Sequence, residues 1–172
     1  TCTNLPQDYV ASTSDGPVSW LVLFCVEWAD RCRKFNKTLG EIAPDLQGLY
    51  KIGYIDAEEK PELAYSQLGV RVYPTLLAFP RGFGAGHRPL EYDRPKGSAS
   101  KIASWALGLL PNRVVQVDSS ADLLRPASSH HVAVLLFNDK SLTPAGFKAT
   151  ALRHAHPRAH HSSKHLHFAE VR

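Results

Sequence analysis

The stretch Trp20-Leu21-Val22-Leu23-Phe24-Cys25-Val26-Glu27-Trp28-Ala29-Asp30-Arg31-Cys32 decides the fold, because its pattern changes in the middle. Its first seven residues are apolar, which is typical of a buried strand. From Cys32 onward, apolar residues recur three or four positions apart, at Phe35, Leu39, Ile42 and Leu46. This spacing predicts an amphipathic helix to about Leu49, bent or shortened by Pro44 and capped by Asp30.

Strands and helices alternate along the chain around this stretch. A short helix is predicted over 7–12, and a turn cluster precedes the strand over 20–26. Further strands are predicted over 50–55, 75–79 and 90–92, a flexible turn over 82–86, and helices over 62–68 and 98–110. This alternation predicts an α/β domain.

Pro111 and Asn112 break the last of these helices, and a second α/β pattern begins behind them. It has strands over 114–117, 132–137 and 165–171, and helices over 121–125 and 144–154. We predict one domain at 1–111 and a partial second domain at 112–172, because so short a segment buries a small core. If the chain ends at Arg172, a strand edge stays uncovered, and we expect a partner strand or a longer natural chain.

Composition and charge narrow the function classes. The 172 residues are 44% hydrophobic and 21% charged, as in ordinary globular proteins. No apolar run is long enough to span a bilayer, so no membrane span is predicted in this segment. The net charge of +4 depends partly on the basic segment 153–167, which lacks interleaved aromatics. We therefore favour a solvated loop there and predict no nucleic-acid partner. The chain begins at Thr1 and has no methionine, which suggests a processed or excised segment.

Six histidines fall within the basic segment 153–167. His165 and His167 lie at alternate positions and would share one face of a strand, where two imidazoles can bind a metal. No cysteine or carboxylate accompanies them at metal-site spacing. We therefore predict no metal and no other cofactor, and interpret the segment as a loop that gains charge below neutral pH.

Three cysteines are too few, and odd in number, for a disulfide framework. Cys25 lies in the apolar strand and is predicted to be a small core residue. Cys32 is either an inert residue on the apolar helix face, which we favour, or a reactive thiol at the helix start. We do not expect a Cys25–Cys32 bridge, because it requires the strand end and helix start to meet. Cys2, near the terminus, is free or pairs with a group outside this segment.

Three stretches carry a family resemblance in their order and spacing. They are the opening stretch, ending in Trp28-Ala29-Asp30-Arg31-Cys32, then Tyr54-Ile55-Asp56-Ala57, and then Gly69-Val70-Arg71-Val72-Tyr73-Pro74-Thr75-Leu76. The chain resembles the thioredoxin superfamily and, in detail, the protein disulfide isomerase family. The run 134–144 is similar to the first half of a further domain of that kind. The resemblance implies a thioredoxin-like fold followed by a partial second thioredoxin-like domain, in the endoplasmic reticulum lumen.

The resemblance also implies a loss of chemistry. In that family the motif is Trp-Cys-x-x-Cys, and its first cysteine attacks a disulfide as the thiolate. Ala29 occupies that position here and cannot attack, while Cys32 matches the second cysteine. Leu23 stands where the family commonly keeps a buried carboxylate that moves protons. We therefore expect no ordinary dithiol–disulfide catalysis.

A peptide-binding groove is the remaining implication. Pro74 matches the family's cis-proline, beside which the backbone of Tyr73 would pair with a bound peptide. The resemblance thus implies a groove of Trp28, Ala29, Tyr73 and Pro74 that binds unfolded peptide or a partner protein without a covalent step. Two alternatives stay open: a thiol-disulfide oxidoreductase or isomerase acting through Cys32, and an architectural component of a larger assembly.

Overall fold

The computed structural model describes residues 3–4, 19–80, 88–93, 97–119, 121, 132–154 and 166–171. The chain divides into two compact units, Thr1–Leu109 and Leu110–Arg172. Each unit contains its own sheet. Within the described ranges, no helix combines the length and the apolar character that crossing a membrane requires.

The first unit is a mixed sheet with helices. Its described strands are β1 (Thr3–Asn4), β2 (Ser19–Cys25), β3 (Tyr50–Asp56), β4 (Thr75–Phe79) and β5 (Leu90–Glu91), in the order β1-β3-β2-β4-β5. β1, β2 and β3 are parallel, whereas β4 runs antiparallel to β2 and β5. The helices are α1 (Asp30–Leu46), a π-helical turn (Glu62–Gln67) and α2 (Ala99–Leu109). The α/β prediction is therefore confirmed.

β2 is the central strand because its side chains are apolar on both faces. All seven of its residues are buried. It pairs with β3 on one side and β4 on the other, so that Leu23 lies beside Tyr54 and Leu76. Leu23 is fully buried, so an apolar core residue occupies the position where the family commonly keeps a carboxylate. The strand end at Cys25 is thereby fixed beside the start of α1.

α1 confirms the helical spacing, because Cys32, Leu39, Ile42 and Leu46 are its buried residues. Pro44 lies inside the helix, which ends two residues later. The prediction that Asp30 caps the helix is wrong. Ala29 is the cap residue and makes no side-chain capping bond, while Asp30 is already helical and pairs with Arg33 one turn on. A residue with helical backbone cannot fold its side chain back as a cap does.

The chain between β3 and β4 shapes the approach to the site. Leu68 N–H donates to Leu63 O at 3.2 Å, five residues back, so the predicted helix over 62–68 is wound as a π-helix. Gly69 has φ +69°, a left-handed value that glycine adopts without steric cost. This turn lets Val70 N–H donate to Ala64 O at 2.8 Å. The loop 71–74 then leads into β4.

The second unit repeats part of this arrangement. Its described strands β6 (Val115–Val117), β7 (Val132–Phe137) and β8 (Leu166–Val171) are parallel and lie in the order β6-β8-β7, with α3 (Ala145–His154) beside them. Phe147 of α3 packs on Phe168 of β8, with ring centroids 5.6 Å apart. The strand order and direction are those of β1, β3 and β2. That this unit is a partial thioredoxin-like domain remains a prediction, and the elements predicted over 7–12, 82–86 and 122–125 lie outside the described residues.

A buried glutamate organises the end of this second sheet. Glu170 on β8 has no exposed surface. Gln116 Nε2 donates to its carboxylate at 2.9 Å and Asn138 Nδ2 at 2.6 Å, and Thr143 Oγ1 donates as well. The three donors come from β6, from the residue after β7 and from the residues before α3. Glu170 therefore connects several segments of the unit through charge-assisted hydrogen bonds.

Candidate functional site

The turn between β2 and α1 presents Trp28 and Ala29 at the end of the central strand. Ala29 N–H donates to Val26 O at 3.2 Å, which closes the turn. Trp28 is 72% exposed, and its indole Nε1 donates to Glu58 Oε1 at 2.9 Å. Ala29 is half-buried and packs against the core. The tryptophan is therefore oriented by a carboxylate that follows β3, while the alanine fills the position of the missing cysteine.

The loop before β4 supplies Val72, Tyr73 and Pro74. The Tyr73–Pro74 peptide bond is cis, as the resemblance implied. Thr75 Oγ1 donates to Val72 O at 2.7 Å and fixes the loop at the start of β4. Val72 is 72% exposed, whereas Tyr73 and Pro74 are half-buried. Tyr73 packs against the same core cluster as Ala29, which brings the two loops to one end of the sheet.

Glu58 connects the two loops. Its carboxylate accepts the Trp28 hydrogen bond, and its negative charge also raises the pKa of the Tyr73 hydroxyl. The backbone N–H of Glu58 donates to Asp56 Oδ1 at 2.8 Å, so the end of β3 sets its position. Tyr65, from the π-helical turn, is 47% exposed, and its hydroxyl also contributes to the raised pKa of Tyr73. We call the set Trp28, Ala29, Tyr65, Val72, Tyr73 and Pro74 the aromatic surface.

The Tyr73 hydroxyl lies in a poorly hydrated position within this surface. Burial raises its pKa to about 12, and Tyr65, Glu58 and Asp56 contribute to the rise. The Tyr73 oxygen is buried and has no partner of normal hydrogen-bond geometry among the described residues. The hydroxyl is therefore neutral at neutral pH and lies beneath the surface, beside Tyr65.

A disulfide joins Cys25, the last residue of β2, to Cys32 in the first turn of α1. Their Cα atoms are 5.6 Å apart, within the normal range, and both residues are buried. The expectation that these cysteines stay apart is wrong, because the 26–29 turn brings the helix start back beside the strand end. Cys32 thus carries no free thiol while the bridge is intact.

This arrangement limits the chemistry of the site. Exchange with a substrate disulfide requires a thiolate within reach of it. Position 29 offers only a methyl group, and Cys32 is 3% exposed and already bonded to sulfur. What the aromatic surface offers instead is contact area, because Trp28 and Val72 are each 72% exposed. Its side chains are therefore suited to binding.

The described residues contain no group of three His, Cys, Asp or Glu side chains that could hold a metal ion. The side chains of His165 and His167 lie outside the described part, so the strand-face pair is untested. His154 is described and stacks on Phe168, with ring centroids 5.9 Å apart. A packing role in the second unit accounts for that histidine.

Sequence reasoning singled out Trp28, Ala29, Tyr73 and Pro74, and the structure places them at the same end of the first sheet. It did not single out Glu58 or Tyr65, whose contacts connect elements distant in sequence. One available signal was the acidic run that follows β3, from Asp56 to Glu59. Side chains after parallel strands meet at one edge of a sheet, so this run had to lie near Trp28.

Known proteins resemble this chain in sequence and in fold. The thioredoxin family model matches residues 4–101. The chain is 30% identical over 137 residues to a protein of Dictyostelium discoideum named as a protein disulfide-isomerase, covering 78% of this chain and 33% of that protein. It is 36% identical over 87 residues to the protein disulfide-isomerase A6 homologue of Drosophila melanogaster, covering 51% and 20%. The chain thus spans a third or less of the length of these relatives.

A solved structure extends the similarity of fold over nearly the whole chain. The crystal structure of ERdj5 form II superposes with a TM-score of 0.70 at 16% identity, covering 99% of this chain and 22% of that one. At this identity the similarity concerns the fold alone. The family model, by contrast, covers more than half of the chain and includes both loops of the aromatic surface. This protein belongs to the thioredoxin family.

Proposed function

We propose that this chain is a redox-inactive thioredoxin-fold module that binds unfolded peptide or a partner protein at the aromatic surface. One observation carries the proposal: the attacking cysteine is replaced by Ala29 while the adjacent Trp28 stays 72% exposed and is held by Glu58. An oriented aromatic side chain supplies a large contact area at a small cost in conformational entropy. By resemblance to protein disulfide isomerases, the proposed compartment is the endoplasmic reticulum lumen.

An extended ligand that pairs with the backbone beside Tyr73 is consistent with the loop before β4. The loop 72–74 lies at the surface, and Thr75 fixes its conformation through Val72 O. A preorganised loop loses little freedom on binding, so more of the contact energy remains as affinity. The surface therefore suits unfolded segments better than a rigid globular face.

The Cys25–Cys32 bridge favours a second candidate, a thiol-disulfide oxidoreductase or isomerase acting through Cys32. In such a reaction an external thiolate would attack one bridge sulfur, break the bond between the two sulfurs and release the other cysteine as a thiolate. The two cysteines are only 0% and 3% exposed, which hinders that attack. We therefore rank this candidate below binding.

Trp28→Ala is expected to weaken the binding of a cysteine-free, unfolded polypeptide at least tenfold, or about 1.4 kcal/mol. The reason is the loss of the most exposed aromatic contact, with no change in the core. The measurement is a fluorescence anisotropy titration with a labelled polypeptide. Phe137→Ala is the matched control, because Phe137 is 75% exposed in the other unit.

Adding Tyr73→Ala to Trp28→Ala should abolish measurable binding, since both sides of the surface are then removed. Tyr73 packs on the core, so Tyr73→Phe serves as a second variant that keeps the ring and removes only the hydroxyl. Circular dichroism spectra verify that each variant is folded. If Trp28→Ala and Phe137→Ala affect the affinity equally, the aromatic surface is not the binding site and the proposal is wrong.

A further inference from the structure

Carboxylates border the aromatic surface on the side of β2 and β3. Glu27 precedes Trp28 at the end of β2, and Asp56, Glu58 and Glu59 follow or end β3. Glu27, Glu58 and Glu59 are exposed. The hydrogen bond from Trp28 to Glu58 ties the most exposed ring of the aromatic surface directly to this border. The surface therefore combines apolar contact area with an acidic border.

The raised pKa values of two tyrosines indicate that the charge near this border is negative. After burial, the pKa of Tyr54 is raised by Asp56, Glu27 and Glu59. The pKa of Tyr73 is raised by burial and Tyr65 and, further, by Glu58 and Asp56. Apart from Tyr65, every group whose charge raises the pKa of either tyrosine is thus a carboxylate.

Three cations lie near this edge in sequence: Arg31, Lys60 and Arg71. None of them is among the groups that shift the pKa of Tyr54 or of Tyr73. The chain as a whole carries a net charge of +4, so the acidic border is opposite in sign to the rest of the protein. A ligand with positive charges is consequently attracted to this edge in particular.

We propose that the aromatic surface selects extended peptide segments in which lysine or arginine flanks an apolar residue, a specificity that rests on the binding function proposed above. The apolar residue packs on Trp28 and Val72, each 72% exposed. The flanking cations lie beside Glu27 and Glu59, and a cation above the Trp28 ring is stabilised further by its π electrons. Acidic segments meet like charges and bind more weakly.

The expected discrimination is moderate and depends on salt. Because Glu27 and Glu59 are exposed, each contact with a ligand cation is partly screened by water and ions. Two such contacts together amount to about a tenfold difference between a basic and an acidic peptide at low ionic strength. High salt is expected to remove most of this difference while leaving the apolar contacts in place.

The experiment compares three labelled peptides that share one apolar core and differ only in flanking residues: lysine, glutamine or glutamate. We expect the lysine peptide to bind about tenfold more tightly than the glutamate peptide at 20 mM salt, with glutamine between, and the difference to collapse near 0.5 M salt. Equal affinities, or tighter binding of the glutamate peptide, overturn the charge preference alone. If none of the three peptides binds, the proposed function itself fails and the preference with it.

A variant locates the preference at the acidic border. Replacing both Glu27 and Glu59 by glutamine should reduce the ratio of lysine-peptide to glutamate-peptide affinity severalfold. Glu41→Gln is the matched control, because Glu41 is an exposed glutamate within α1. If the ratio falls as much in the Glu41 variant as in the double variant, net charge determines the preference, and the assignment to this border is wrong.

Discussion

Replacing Cys25 and Cys32 together by alanine is expected to lower the free energy of unfolding of the first unit by about 2.5 kcal/mol, the value for so short a closed loop. The two cysteines are seven positions apart, and their bridge restricts the unfolded chain between the end of β2 and the start of α1. Alanine avoids burying a new hydroxyl in a site where both residues are almost fully buried. The loss then contains the cross-link and the packing of the two sulfur atoms, and the reduced native chain, which keeps both sulfurs, separates these contributions.

Urea unfolding followed by tryptophan fluorescence measures this change selectively. All three tryptophans, Trp20, Trp28 and Trp105, lie in the first unit. The native chain in the presence of a phosphine reductant is the matched control, and it should lose about as much stability as the double variant. The double variant itself should not respond to the reductant. If neither the reductant nor the double substitution changes the unfolding midpoint, the bridge contributes no stability.

Glu170→Ala should destabilise the second unit by about 3 kcal/mol, because it leaves buried donors without an acceptor. Gln116, Asn138 and Thr143 all donate to this carboxylate from different segments. Glu170→Gln should cost less, since an amide oxygen still accepts from one or two of them. The contrast separates the loss of hydrogen bonds from the loss of side-chain volume.

The second unit contains no tryptophan, so amide hydrogen exchange along β7 and β8 is the suitable measurement. Exchange that proceeds through opening of the unit should accelerate about a hundredfold in Glu170→Ala. Glu91→Ala, an exposed glutamate on β5, provides the control. If the two alanine variants exchange alike, the network around Glu170 does not hold the unit together.

The fold was predictable where burial is periodic. The apolar run of β2, the three-and-four spacing of α1 and the strand over 75–79 all depend on which faces are covered, and the structure confirms them. β1 was missed because a two-residue edge strand has no period and exists only by pairing with β3. The π-helical winding over 62–67 was missed for a different reason, since it depends on backbone bonds between residues five apart, such as that from Leu68 to Leu63, which side-chain spacing does not determine.

The site was predictable only in part, and mainly through family resemblance. Trp28 and Tyr73 occupy recognisable motif positions. The Cys25–Cys32 bridge depends on how the 26–29 turn closes, which residue spacing does not determine. Glu170 lies in the strand predicted over 165–171, yet it is a fully buried member of a polar network, which the strand prediction does not indicate. Contacts between distant segments carry these features, and a single sequence does not record them.

The most direct test of the proposed redox inactivity is the rate at which the protein catalyses the reduction of insulin disulfides by dithiothreitol. With Ala29 in place of the attacking cysteine and Cys32 buried, we predict a rate equal to that of the buffer without protein, and the same rate for Cys32→Ser. Turnover by the native chain that disappears in Cys32→Ser would contradict this account and establish Cys32 as a working nucleophile.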